Sequence, residues 1–109
     1  MKIAYKVWLD QDGKAFGEGP YRILKMVKKK KSLNQAAAEL GISYRKAWTI
    51  LHRCEKKLGF PLLERKIGGI AGGGSQVTGK GKIFMNQYGK FRKEMVKGLE
   101  RIFQKHFGP

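Results

Sequence analysis

Four consecutive side chains, Ser43, Tyr44, Arg45 and Lys46, gather hydrogen-bond donors and positive charge directly after Gly41-Ile42. Their chemistry is recognition, not bond making. Arginine carries a fixed fork of donors that matches the O6 and N7 edge of guanine, whereas tyrosine and lysine suit phosphate or sugar. Arg45 is therefore the expected reader of a base, and Tyr44 and Lys46 the expected backbone contacts. Thr49 and Arg53 extend the same face if the segment is helical.

The groups that would support catalysis or metal binding do not assemble. His52 and Cys54 stand two apart, where a helix points their side chains about 200° away from each other. Cys54 falls in the inward phase and is expected as a small core residue. His106 has no ligand partner nearby, and the eight acidic residues form no close pair. There is no Gly-Lys-Ser/Thr sequence, and Gly17-Glu18-Gly19 is too short for a nucleotide fingerprint. No enzymatic activity, cofactor or metal site is expected, and Trp8 and Trp48 read as packing residues.

Composition agrees with recognition of a polyanion. The 109 residues suit one domain, and 41% hydrophobic content is enough for a core. Twenty-four Lys and Arg against eight Asp and Glu leave a formal charge of +16. Such an excess repels itself, so an external anion is expected to use it, nucleic acid before an anionic membrane. The first residues, Met1 to Lys6, hold no apolar run of signal-peptide length, and no stretch is long enough to span a bilayer. The single Cys54 fits a reducing compartment. The expectation is a cytoplasmic, prokaryotic protein associated with the nucleoid.

The elements that would position these residues are mainly helical, with a small β component. Ile3, Tyr5, Val7 and Leu9 alternate with Ala4, Lys6 and Trp8, predicting a strand over Lys2 to Asp10. A two-residue turn at Asp12-Gly13 and a return through Ala15-Phe16 would complete a hairpin over 1–18. Gly19-Pro20 opens a helix with Tyr21, Ile23, Leu24 and Val27 inward and Lys28 to Lys31 at its negative end. Ser32 caps the next helix, which carries Leu33, Ala36, Ala37 and Leu40 and stops at Gly41. Ser43 caps a third, which runs to about Leu58 with Ala47, Ile50, Leu51, Cys54 and Leu58 inward.

Two helices joined by only Gly41-Ile42-Ser43, with Ala36-Ala37 where they cross, predict a helix-turn-helix. In that motif the first residues of the second helix enter the major groove. Leu62 to Lys66 and Gln76 to Thr78 then read as two strands around a tip with glycine at 68, 69, 72, 73 and 74. A hairpin in that place is a wing, whose glycine amides would lie open to phosphate or the minor groove. The expected DNA-binding set is Ser32, Asn34, Gln35, Ser43, Tyr44, Arg45, Lys46, Thr49, Arg53, Arg65, Lys66, Gly72, Gly73, Gly74 and Ser75.

The segments Ser43-Tyr44-Arg45-Lys46-Ala47-Trp48, Pro61-Leu62-Leu63-Glu64-Arg65 and Val77-Thr78-Gly79-Lys80-Gly81, with the glycine-rich tip, carry a resemblance. Over roughly residues 19–107 the chain resembles the N-terminal DNA-binding domain of the molybdate-responsive ModE regulators. More loosely it resembles the DNA-binding domain of LysR-type regulators. The resemblance implies a winged helix-turn-helix that binds operator DNA through Ser43 to Lys46 and dimerises through its last helix. ModE regulators carry molybdate-binding domains after this one, and no residue here is assigned to that role. A regulator without its own effector domain is expected, leaving open a separate sensor subunit.

The last helix, about Gly79 to Phe107, would extend roughly 40 Å, longer than such a domain needs. Phe84, Tyr88, Phe91, Met95, Leu99, Ile102 and Phe103 are the expected dimerisation residues, with Met85, Val96 and Phe107 beside that seam. Lysines 80, 82, 90, 93, 97 and 105 would also suit a membrane surface, but a membrane role leaves the turn and wing unexplained. The expected organisation is a single domain over 1–109, with a helix-turn-helix core at 19–78 and a dimerisation helix at 79–107. The expected function is sequence-specific binding of double-stranded DNA by a homodimer that regulates transcription. The alternative is an abundant architectural protein with weak sequence preference; an RNA-binding module has only the charge in its favour.

Overall fold

A computed structural model of the chain describes residues 1–66 and 74–109. In chain order the elements are β1 (Trp8–Asp10), β2 (Lys14–Gly17), α1 (Glu18–Lys30), α2 (Leu33–Leu40), α3 (Tyr44–Leu58), β3 (Leu63–Lys66), β4 (Gly74–Val77) and α4 (Gly79–Phe107). Helices α1 to α3 pack together, β1–β2 precedes them as an antiparallel hairpin, and β3–β4 follows α3 as a second one. This is a winged helix-turn-helix with a long C-terminal helix, as the sequence predicts.

The helix ends follow from local chemistry. Ser32, Ser43 and Thr78 each accept a hydrogen bond from the amide three residues on, which satisfies a donor that the first turn leaves free. Gly41 ends α2 at φ 71°, a left-handed conformation that a side chain would oppose, and its neighbour Ile42 donates back to the Ala37 carbonyl at 3.0 Å. The start of α1 differs from expectation. It begins at Glu18, so Pro20 is its third residue; an amide is still dispensable there because it lies in the first turn.

The N-terminal strand is shorter than predicted. Only Trp8–Asp10 pairs, because β2 offers four residues before the chain turns helical at Glu18. Residues 1–7 therefore have no ladder partner, whatever their alternation. The connection is also longer than the expected two-residue turn: Asp12 and Gly13 both take positive φ, and the register shifts between Leu9 and Asp10. Gln11 and the Asp12 carbonyl bond to Lys57, tying this hairpin to the end of α3.

Phe16, Leu24, Val27, Leu51 and Leu62 are fully buried, and Ala36, Ala37 and Ala47 lie among them. The alanines let the helices approach closely. Truncating Leu51 to alanine in such a core costs about 2–5 kcal/mol. The proximal part of α4 completes the core through aromatic contacts. Phe16 meets Phe84 at 4.9 Å and Tyr88 at 5.0 Å, and Tyr21 meets Tyr88 at 5.0 Å between ring centres. Gly89 lies beneath Tyr21, where a Cβ would come within 2.7 Å of the hydroxyl. Arg92 closes the contact with a 2.7 Å bond to Glu18 of α1.

Tyr88 is thus 3% exposed and the partly buried Phe84 packs beside it, so both contribute to the protomer's own core. Of the expected dimerisation residues, Tyr88 therefore has little surface left to offer a partner, and Met85 is buried with it. Beyond Arg92 no residue of α4 is buried. The helix projects as an arm: the molecule measures 57 × 29 × 21 Å and its radius of gyration is 16.2 Å, against about 13 Å for a compact chain of this length.

Candidate nucleic-acid interface

The surface that could engage nucleic acid is built around the first turn of α3. Tyr44, Arg45 and Lys46 all stand in solvent there, positioned by the Ser43 cap, whose Oγ accepts from the Lys46 amide at 3.0 Å. Arg53 is also exposed, two turns further along, and Thr49 is half-buried between them. Behind this face, Ala47, Leu51 and Cys54 anchor α3 in the core. Burial, and then the neighbouring Glu55 charge, push the Cys54 thiol up to about 11, so it stays protonated and unreactive in the folded chain at neutral pH.

Helix α2 presents a capped N-terminus of its own. Ser32 accepts from the Gln35 amide at 3.1 Å, while Asn34 and Gln35 are exposed on its first turn. A capping serine uses a lone pair for the helix and keeps its hydroxyl hydrogen for another acceptor. The two helix N-termini add partial positive charge to that of the side chains. No acidic residue lies between Glu39 and Glu55, so the presented stretch carries no carboxylate to repel a phosphate.

The wing is held at its base by two elements. The Glu55 carboxylate of α3 accepts the amides of Leu62 at 2.6 Å and Leu63 at 3.2 Å. Thr78, the cap of α4, donates its hydroxyl to the Pro61 carbonyl at 2.6 Å. These bonds give the Pro61-to-Arg65 and Val77-to-Gly81 segments their structural sense. Arg65 is exposed and pairs with Ser75, and Lys66 pairs with Gly74 across the hairpin. Gly72 and Gly73 lie outside the described residues.

Two wing residues differ from expectation. The Ser75 amide donates to the Lys31 carbonyl at 3.2 Å, and Gly74 lies so close to that carbonyl that a Cβ would collide with it. Their backbone therefore docks the wing onto the α1–α2 connection, where Lys31 in left-handed conformation turns its carbonyl outward. The Ser75 amide thus already has a partner, which leaves its side chain for DNA.

Two features escape the sequence reading. A cleft of about 230 Å³ between the end of α1, the wing and the start of α4 is lined by Lys28, Lys31, Ser75, Gln76 and Lys82. The lysine run at 28–31 signals this only as charge at a helix end; its meeting with Lys82 depends on the fold. Trp48, expected to pack, is 44% exposed on α3 and stacks on His52, with ring centres 3.6 Å apart. Among the described residues, no three His, Cys, Asp or Glu side chains converge as a metal site, and no helix is long and apolar enough to cross a membrane.

Residues 20–82, from the start of α1 to the first turn of α4, match the family described as bacterial regulatory helix-turn-helix protein, lysR family. The chain belongs to that family. It is therefore a DNA-binding domain of the type found in bacterial transcription regulators, and the resemblance to ModE proteins also holds. The molybdenum transport protein ModE of Azotobacter vinelandii is 31% identical over 98 residues, 89% of this chain and 36% of its own length. The molybdenum-pterin-binding protein MopB of Rhodobacter capsulatus is 30% identical over 98 residues, 90% of this chain and 36% of its own. The transcriptional regulator ModE of Haemophilus influenzae is 44% identical over 57 residues, 52% of this chain and 22% of its own. The lysR-family chain thus spans little more than a third of the length of the Azotobacter and Rhodobacter relatives it matches.

Proposed function

We propose that this lysR-family domain binds a defined operator in double-stranded DNA as a homodimer and so regulates transcription. The observation that carries the reading is the first turn of α3, where Tyr44, Arg45 and Lys46 stand exposed on a stretch of sequence without carboxylates. Helix α3 enters the major groove with Arg45 toward a guanine edge. Tyr44, Lys46, Arg53 and the α2 residues Ser32, Asn34 and Gln35 contact the backbone, and Thr49 lies along the groove floor. Arg65 and Lys66 follow the next stretch of backbone with the wing, and Lys28, Lys31 and Lys82 add charge beside it.

The distal part of α4 supplies the dimer. Phe91, Ile102 and Phe107 are 40%, 54% and 67% exposed, and Met95, Leu99 and Phe103 are half-buried along the same arm. A second copy covering them would set two α3 helices on successive major grooves, about 34 Å apart. Selection of binding sites from fragmented genomic DNA at about 0.2 M salt, where non-specific contacts weaken steeply, tests this reading. A shared inverted repeat with half-sites one turn apart is expected. Broad recovery without a motif would overturn it in favour of an architectural role.

A further inference from the structure

We propose that Trp48 is a specificity residue that takes up a thymine methyl group in the major groove, beside the base contacted by Arg45. The inference rests on the operator-binding reading above and extends it to an apolar contact. Tyr44, Trp48 and His52 recur every four residues, so they form one stripe along α3, adjacent to the Arg45 face. An indole has more to gain from leaving water than most side chains. Yet Trp48 is 44% exposed and Tyr44 51% exposed, on the charged helix that presents Arg45 and Lys46.

The ring has a stacking partner on the same helix face. It stacks on His52 with planes 19° apart, and His52 Nδ1 lies 2.9 Å from the Trp48 carbonyl oxygen. His52 Nε2 faces Glu55 Oε1 at 3.6 Å, while the other Glu55 oxygen accepts the Leu62 and Leu63 amides at the base of the wing. A side chain already fixed in its bound position loses little entropy on binding. The same contacts set the ring's position relative to the wing.

Beside the indole is an open hollow of about 350 Å³ lined by Tyr44, Arg45 and Trp48. Two aromatic walls and one fork of donors call for a ligand with an apolar group next to hydrogen-bond acceptors. On the edges that a major groove displays, the 5-methyl of thymine is the apolar group, and O6 and N7 of guanine suit the fork. A phosphate would satisfy Arg45 and leave the aromatic walls in water.

The test uses the intact protein and duplexes of the selected operator in which single thymines are replaced by deoxyuridine, which removes only the methyl. At one position in each half-site, the wild-type protein should bind the uracil duplex about fourfold more weakly, the value of burying one methyl-sized group. Trp48→Ala should bind thymine and uracil duplexes equally there, while still preferring guanine at the Arg45 position. Wild-type protein that tolerates uracil at every position would overturn the proposal without needing a variant. So would Trp48→Ala protein that keeps the thymine preference. A selection that yields no shared motif overturns the operator reading and this inference with it. An operator without thymine discrimination overturns this inference alone.

Discussion

Helix α3 and the distal part of α4 are both amphipathic, but they leave opposite faces in water. In α3 the apolar side, Ala47, Leu51 and Cys54, is buried inside the protomer, and the side left over carries Arg45, Lys46 and Arg53, with Tyr44 and Trp48 beside them. In α4 beyond Arg92, the apolar positions Met95, Leu99 and Phe103 are only half-buried and Ile102 is exposed. A charged remainder calls for a polyanion, and an apolar remainder calls for another apolar surface. Which face a helix leaves free therefore indicates the kind of partner more directly than how amphipathic it is.

The largest expected effect breaks the comparison at α4. Placing charge on the exposed seam, as in the double variant Phe91→Glu/Ile102→Glu, should turn the proposed dimer into a monomer by sedimentation velocity. Operator affinity should then fall by about a hundredfold or more, since the second half-site is no longer held at high effective concentration. A double variant that remains dimeric would move the interface elsewhere, and the N-terminal side is the next place to look. There, Tyr5, Trp8, Glu18, Arg92 and Met95 surround a hollow of about 450 Å³.

The α3 side is sharpened by Arg45→Ala. Losing the proposed forked contact to guanine should lower operator affinity about tenfold to a hundredfold, with random DNA affected only modestly. Competition binding with both DNAs in one titration reads the ratio directly. Equal losses on the two DNAs would make Arg45 a phosphate contact and leave base reading to its neighbours.

A smaller effect links the two regions through the wing. Glu55→Ala removes the acceptor of the Leu62 and Leu63 amides, and leaving such groups unpaired costs about 1–3 kcal/mol in denaturant melts. The same variant removes the charge that adds to burial in raising Cys54, so the thiol should titrate below its wild-type value of about 11. For this acid the raised value means that folding favours the neutral thiol. Its contribution is intact below the ordinary thiol value near 9.0 and is lost as pH rises toward 11, a window that should close at a lower pH in Glu55→Ala protein.

Much of this arrangement was legible in the sequence because local chemistry determines it. Ser32, Ser43 and Gly41 act through hydrogen bonds within four residues, and they mark the helix-turn-helix almost to the residue. Gly79 to Phe107 shows helical period from end to end and folds as read. What was not legible depends on partners distant in the chain. The strand predicted over Lys2 to Asp10 is cut to three residues by the length of β2. Phe84 and Tyr88 share a periodicity with Ile102, and only the position of Phe16 separates core from arm. Trp48 lies at the edge of the buried phase, and a residue count alone does not decide which way an indole turns.

The smallest expected effect asks whether the arm is shaped for a partner. Gly81 and Gly89 are explained inside the protomer, since a Cβ would press on the Leu62 carbonyl in the first case and the Tyr21 hydroxyl in the second. At Gly98 a Cβ would meet nothing within 4 Å. In an exposed helix interior, glycine costs about 1 kcal/mol against alanine, so Gly98→Ala should stabilise an isolated protomer by about that amount. Gly98 is flanked on the helix surface by Met95 and Ile102, and a neighbouring α4 approaching closely there would reverse the sign. Melts across a range of protein concentrations separate the cases. A uniform gain means that Gly98 faces solvent in the dimer as well, whereas a gain at low concentration with weakened dimerisation places the helix crossing at this residue.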